Sequence, residues 1–334
     1  MRIVVLGATG NIGTSLVDAL VADPRVTEVV AVARRPPTQL GAGSTPVRFR
    51  AADVTADPLE PLFEGADAVV HLAWAFQPTH RPLTTWEVNA VGSARILAAV
   101  GATGVGAVVY SSSVGAYSPA PGRTVDESWL THSQPTSTYG REKAYVERTF
   151  DAFEARHPDV RVVRMRPAFV FKKTSGPEQR RLFAGPLLPP PLLRPGRLPA
   201  QPFPAGLRFQ ALHSRDAATA FVTAALGDAR GAFNLAAEPV IGGAEVAGIT
   251  GGRLVELPPA LVRAGLAAAW HLRLVPSDPH LFDLVMGLPL LDTGRARSEL
   301  GWQPRISAVD ALRAAVAGMG EDAGQPTPPL AGST

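Results

Sequence analysis

The stretch Arg2-Ile3-Val4-Val5-Leu6-Gly7-Ala8-Thr9-Gly10-Asn11-Ile12-Gly13 decides the fold. Arg2–Leu6 is a continuous apolar run of strand length, as expected of a strand buried on both faces. Ile12–Val21 follows with Ile12, Leu16, Val17 and Leu20 at helical spacing. Between them, Gly7, Gly10 and Gly13 permit a tight turn and let backbone amides approach a pyrophosphate, with the helix N-terminus facing its charge. The glycine spacing alone is a weak signal in a chain with 32 glycines. Its place between a strand and a helix gives it weight.

Working outward, the alternation continues to about residue 171. Strands are expected at Glu28–Ala33, Val47–Ala51, Asp67–Leu72, Gly106–Ser112 and Val160–Met165, and helices at Thr84–Val100 and Thr138–Arg156. Apolar strands separated by helices predict an α/β fold, a doubly wound parallel sheet of the Rossmann type over residues 1–171. Residues 172–210 break the pattern. Nine prolines fall between Pro177 and Pro204, interleaved with leucines, so regular structure is not expected there. The segment reads as a rigid surface loop, as an apolar wall over a substrate pocket, or as a linker. Residues 211–236, with a helix at His213–Ala225 and a strand at Gly231–Ala236, return to the sheet domain. Residues 237–319 form a smaller, mostly helical C-terminal substrate-binding part. Residues 320–334, rich in Pro, Gly, Ser and Thr, read as a disordered tail.

Composition narrows the function. The 334 residues are 46% hydrophobic and 18% charged, which supports a sizeable core. The net charge of +3 comes with no Lys/Arg run longer than two, so no nucleic-acid partner is expected. The absence of cysteine excludes disulfides, thiolate metal sites and cysteine nucleophiles. Seven scattered histidines show no metal-ligand spacing, and no metal is expected. His71 and His213 read as structural, and Asp126-Glu127 as a solvated loop. The uncharged stretch from Ile96 to Gly122 is interrupted by glycines, serines and Pro119, so no membrane span is expected. A cytoplasmic protein is the expectation.

Two further features carry chemistry. The second strand ends in Ala33-Arg34-Arg35, where NAD binders place a carboxylate for the ribose 2′-hydroxyl. Two guanidiniums suit a 2′-phosphate, so NADP is the expected cofactor, with NAD the alternative. Solvated surface arginines are the competing reading. Asp53 after the third strand is placed to meet an adenine amino group or to cap a helix. Tyr139 and Lys143, at i and i+4, share one helix face in a chain with only four tyrosines and three lysines. Ser111-Ser112-Ser113 lies at the C-terminal end of the fifth strand, the edge where open α/β sheets bind ligands.

With these motifs, and with Asp53-Val54, His71-Leu72-Ala73, Asn89, His213–Ala218 and Leu300-Gly301-Trp302-Gln303-Pro304, the sequence resembles the extended short-chain dehydrogenase/reductase superfamily, specifically the NAD-dependent epimerase/dehydratase family. The resemblance spans nearly the whole chain. It implies that Tyr139 is the general acid/base, that Lys143 binds the nicotinamide ribose and lowers the tyrosine pKa, that Ser113 (with Ser112 as runner-up) holds the reacting oxygen, and that Asn89 supports the site. It implies cofactor contacts from Gly7, Thr9, Gly10, Asn11, Ile12, Gly13, Arg34, Arg35, Asp53, Val54, Leu72, Ala73, Tyr139, Lys143, Pro167 and Val170. Trp74, Ser113, Phe169 and Phe183 are the expected substrate contacts, and a homodimer built from the helices Thr84–Val100 and Thr138–Arg156 is implied.

Two departures bear on the substrate. The sugar-nucleotide members commonly place an asparagine after the sixth strand, where this chain has Arg166-Pro167-Ala168-Phe169-Val170-Phe171. Their diphosphate-gripping arginine falls at Phe209, with Arg208 one residue away. Apolar residues in the substrate segments favour a hydrophobic small molecule. The sequence therefore points to an NADP(H)-dependent carbonyl reductase or alcohol dehydrogenase. A sugar-nucleotide epimerase or dehydratase with tightly held NAD is the alternative, and a non-catalytic dinucleotide sensor the third reading.

Overall fold

The computed structural model describes residues 1–35, 37, 45–77, 79–184, 189–197 and 200–332, with side chains 183 and 184 outside that description. Seven parallel strands form the main sheet. Their spatial order is Gly231–Leu235, Arg161–Pro167, Ala107–Ser111, Ala68–His71, Arg2–Leu6, Glu28–Ala33, Val47–Ala51. Arg2–Leu6 pairs with Glu28–Ala33 on one side and Ala68–His71 on the other, so the order reverses at the first strand. That reversal opens a crevice at the carboxyl edge of the sheet, above Gly7.

The central strands are buried because both faces are covered. Ile3, Val5, Val70, Val109 and Phe233 pack beneath the helices Asn11–Val21 and Ser214–Leu226. Val4, Leu6, Val69, Val108 and Tyr110 pack on the other face against Ile96, Val100, Val146 and Phe150. The helix expected at Thr84–Val100 runs from Pro82 to Thr103 and contains a π-helical turn, Glu87–Val91. Such turns recur at functional sites, and Asn89 lies within this one. The helix Thr138–Arg156 has the predicted bounds, with Ser137 accepting at its N-terminus from the Gly140 amide.

The proline-rich segment contains more regular structure than expected. Residues 176–179 form a helical turn, and Ala200–Pro204 pairs in parallel with Arg253–Leu257 in a separate two-stranded sheet. A two-stranded ribbon is all edge, which is where prolines such as Pro202 and Pro204 are tolerated. A three-stranded sheet of Ala237–Ile241, Phe209–His213 and Phe169–Phe171 joins this region to the main domain.

Residues 320–332 correct the expectation of a disordered tail. Leu330 and Thr327 are fully buried, and the Thr327 hydroxyl donates to the Thr9 carbonyl at 3.1 Å. Composition predicts disorder where a segment lacks apolar area of its own, but here Thr9 of the distant glycine loop and Arg181 bond to it. No helix among the described residues is long and apolar enough to cross a membrane. The same residues hold no cluster of three or more metal-ligating side chains.

Candidate active site

The crevice holds two cavities that meet at Gly7, Gly10, Leu72, Trp74 and Glu178. The turn between them leaves no room for a side chain at Gly7 or Gly13. Gly7 adopts φ +84°, and a Cβ there would lie 2.8 Å from the Ala73 nitrogen. At Gly13 a Cβ would come within 2.2 Å of the Gly7 carbonyl oxygen. This cradle fits a dinucleotide whose pyrophosphate approaches backbone amides.

One cavity, of about 160 Å³, is lined by Thr9, Arg34, Arg35, Asp53, Val54 and Ala73. Asp53 lines the cavity and caps no helix: one carboxylate oxygen closes a turn by accepting from the Thr55 amide (2.9 Å) and hydroxyl (2.7 Å). Those bonds, with the charges of Arg34 and Arg95, hold it below the usual carboxylate range. The second cavity, of about 280 Å³, brings together Asn11, Ile12, Ser113, Tyr139, Lys143 and Pro167, with Trp74, Phe169 and Val170 also at its wall. The side chain of Phe183 lies outside the described residues.

Tyr139 is clamped. Phe76 stacks on its ring at 4.6 Å and Trp74 meets it edge-on at 5.8 Å. Burial pushes its pKa up to about 12, against the hydrogen bond from Ser113 and with the charge of Glu142 adding to the rise. The Lys143 ammonium sits 3.4 Å over the Trp74 ring, donates to the Ser111 carbonyl at 2.8 Å, and is 5.9 Å from the Tyr139 ring centre. Burial also pulls Lys143 well below an ordinary lysine, opposed by Glu147 and Glu142.

Asn89 stands behind the cavity and not on its wall. Its amide accepts from the Ala75 nitrogen (2.7 Å) and donates to the Ala75 carbonyl (2.8 Å) and to Glu142 (2.6 Å). It thus fixes the backbone between the two aromatic clamps and ties it to the tyrosine's own helix. Ser113 Oγ accepts from the Gly115 amide at 3.0 Å, whereas Ser112 donates to buried Glu147 at 2.6 Å. This geometry favours Ser113 over Ser112 as the serine available to a substrate.

His71 and His213 are both occupied structurally: His71 Nε2 pairs with Ser93 at 2.8 Å, and His213 Nδ1 accepts from the Arg215 amide at the start of its helix. Burial lowers His71 to about 3, so it is neutral. Glu127 differs from the solvated loop expected. It is half-buried and accepts from the Asn234 amide at 2.7 Å.

Several site residues were not legible in sequence. Leu281, Leu284, Val285 and Leu288 reach the larger cavity from the helix Pro279–Gly287 and the residue after it. Their helical spacing was visible, but nothing local assigned them to this wall. Glu178 lines both cavities, and burial raises it to about 7 against the pull of Arg181 and Lys172.

Gly115 supports the tyrosine directly. A Cβ there would lie 2.9 Å from Tyr139 Cε1 and 3.4 Å from Ser113 Oγ. Gly115→Ala is therefore expected to displace the phenol and lower kcat about a hundredfold, with a Tm loss of only a few degrees from overpacking. Steady-state kinetics beside a thermal melt checks this.

The family model of the NAD dependent epimerase/dehydratase family matches residues 3–236. The chain belongs to the NAD-dependent epimerase/dehydratase family. Curated relatives of this family member include the uncharacterized protein Rv2047c of Mycobacterium tuberculosis, 27% identical over 315 residues that are 93% of this chain and 29% of that protein. The chain thus spans under a third of that relative's length. Uncharacterized protein Rv0501 of the same organism is 27% identical over 320 residues, 93% of this chain and 82% of that one. Among solved structures, UDP-glucose-4-epimerase from Stenotrophomonas maltophila, with bound NAD and formylated UDP-arabinopyranose, superposes with a TM-score of 0.71 at 21% identity, covering 96% of this chain and 98% of that one. MoeE5 in complex with UDP-glucuronic acid and NAD gives 0.70 at 23%, covering 95% and 98%. At these identities the likeness establishes the shared fold.

Proposed function

We propose that this family member transfers hydride reversibly between a secondary alcohol or ketone carbon of a small molecule and a nicotinamide dinucleotide. The observation that carries the reading is the meeting of Ser113, Tyr139 and Lys143 at one cavity that opens onto the glycine cradle. When bound, the dinucleotide supplies the hydride donor or acceptor. Arg34 and Arg35 would hold its ribose end and Lys143 its nicotinamide ribose. Ser113 would position the substrate oxygen. Tyr139, protonated because it is buried, would give that oxygen its proton and take it back in the reverse direction. Trp74 and Phe76 hold the phenol in line and exclude water from it.

For the substrate, the comparisons shift the weight from the carbonyl reductase expected in sequence to the sugar-nucleotide epimerase alternative. The neighbouring folds are solved with UDP-sugars and NAD. A specific observation keeps the reductase as the second reading. Among the described residues of the larger cavity the charged side chains are Lys143 and Glu178, beside Phe76, Phe169, Leu182 and Leu284. A diphosphate asks for more positive charge than that wall offers. Exposed Leu83, Val91 and Tyr145 on the two long helices support the homodimer.

The deciding experiment is a search for nucleotide retained by the purified protein, titration with NADH and NADPH, and incubation with UDP-sugars and with a ketone panel. Retained NAD and a changed sugar composition support the epimerase. Exchangeable NADPH, bound about tenfold less tightly by Arg34→Ala and consumed with an apolar ketone, supports the reductase. Binding of neither dinucleotide overturns both.

A further inference from the structure

We infer that residues 325–331 are part of the dinucleotide site: they wall its adenosine half and must move for the cofactor to exchange. The inference rests on the dinucleotide reading but not on which substrate is used. Pro328 and Pro329 line the smaller cavity together with Thr9, Arg34, Arg35 and Asp53. They are separated from the glycine turn by more than 300 residues of chain, yet Thr327 is bonded to it. The two rings present a stiff, apolar surface with no amide hydrogen to satisfy.

The wall is built as a closed loop. The Gln325 amide donates to the Leu330 carbonyl at 3.0 Å, and the Leu330 amide to the Thr327 carbonyl at 2.9 Å. Gly324 and Gly332 lie so close that a Cβ on Gly324 would come within 2.5 Å of the Gly332 nitrogen. Among the described residues, side-chain bonds to carbonyls fasten the loop to the protein. Thr327 reaches the Thr9 carbonyl, and Leu330 is buried. Exposed Arg181 donates to the carbonyls of Ala331 (2.7 Å) and Pro329 (2.5 Å). Arg180 meets Asp322 at 3.3 Å just before the loop.

Single side-chain hydrogen bonds and one buried leucine hold the segment to its neighbours, contacts that can part without unfolding the parallel sheet. The sheet side of the cavity is rigid, because Gly7, Val32, Ala33 and Ala52 belong to the parallel strands or follow them directly. The loop is therefore the element that can yield. Closed, it covers bound dinucleotide and slows its release; that suits an enzyme that keeps its cofactor through turnover.

The test is the dissociation rate of NADH and NADPH, read by stopped-flow fluorescence on displacement with excess oxidised cofactor. Two variants are compared with the full chain: a truncation after Ala323, and Arg181→Gln, which removes the two carbonyl contacts from the exposed side. Thermal melting confirms that each is folded; should the truncation fail to fold, Arg181→Gln decides. A release rate at least about tenfold faster in the folded truncation, and severalfold faster in Arg181→Gln, is expected. Release rates within twofold of the full chain in the folded variants overturn the inference. A full chain that binds neither dinucleotide sinks the dinucleotide reading, and the inference with it.

Discussion

Tyr139→Phe lowers kcat at least about a thousandfold while dinucleotide affinity stays within a few-fold. General acid/base catalysis contributes on the order of 10²–10⁴ in rate, and among the described residues no second tyrosine lines the cavity to replace this one. Tyr145 is exposed, while Tyr110 and Tyr117 are buried in the sheet domain. A thousandfold corresponds to about 4 kcal/mol of transition-state stabilisation. The phenyl ring keeps its contacts with Phe76 and Trp74, so the loss reports the proton and not the packing. Single-turnover kinetics on whichever substrate the panel identifies, beside dinucleotide titration, measures both quantities. A variant with unchanged function would move the weight to a non-catalytic dinucleotide sensor.

Glu147→Ala destabilises the protein by about 3–5 kcal/mol, because it leaves a buried guanidinium without its counter-ion. Glu147 is fully buried and receives Arg166 through two bonds, Nε at 2.9 Å and Nη2 at 3.0 Å. Ser112 donates to the same carboxylate, and Arg166 Nη1 donates on to the Tyr117 hydroxyl and the Glu127 carbonyl at 2.9 Å each. The network ties the helix Thr138–Arg156 to the strand Arg161–Pro167 and to the residue that follows the strand Ala107–Ser111. Burial by itself would raise the Glu147 pKa, but the hydrogen bond and charge of Arg166 outweigh it and hold the carboxyl below its ordinary value. A carboxyl lowered on folding contributes stability that is complete above its unfolded pKa and is lost as pH falls through its folded one. The gap between wild type and Glu147→Ala is thus expected to be full at pH 7 and to narrow in acid, below about pH 4. Denaturant unfolding at pH 7 and at stepped acidic pH checks the size and the sign. Equal stability of the two proteins at pH 7 would contradict the network's role.

The parts of the site that were legible share a property: each is specified by residues close together in the chain. Gly7–Gly13 must be glycine-rich where the first strand turns into its helix. Tyr139 and Lys143 must share a helix face. Arg34 and Arg35 must end the second strand. The less legible parts depend on contacts between distant segments. Asn89 reads as a supporting residue, but only the folded chain shows that it binds Ala75 and Glu142 instead of facing the cavity. Lys143 reads as a partner of Tyr139 on one helix face; only the fold shows that its ammonium lies over the Trp74 ring and donates to the Ser111 carbonyl. The proline-rich segment reads as loop, yet a partner strand near residue 255 draws part of it into a ribbon.

The sequence by itself determined the doubly wound parallel sheet, the glycine turn and the Ser, Tyr and Lys motifs, because hydrophobic periodicity and glycine geometry act over a few residues. Tertiary structure alone decided the apolar wall from 281–288, the clamp on Tyr139 and the ordering of 320–332 against Thr9. Those features are made of surfaces with no local signature. Each is buried only by a partner that the chain reaches after folding.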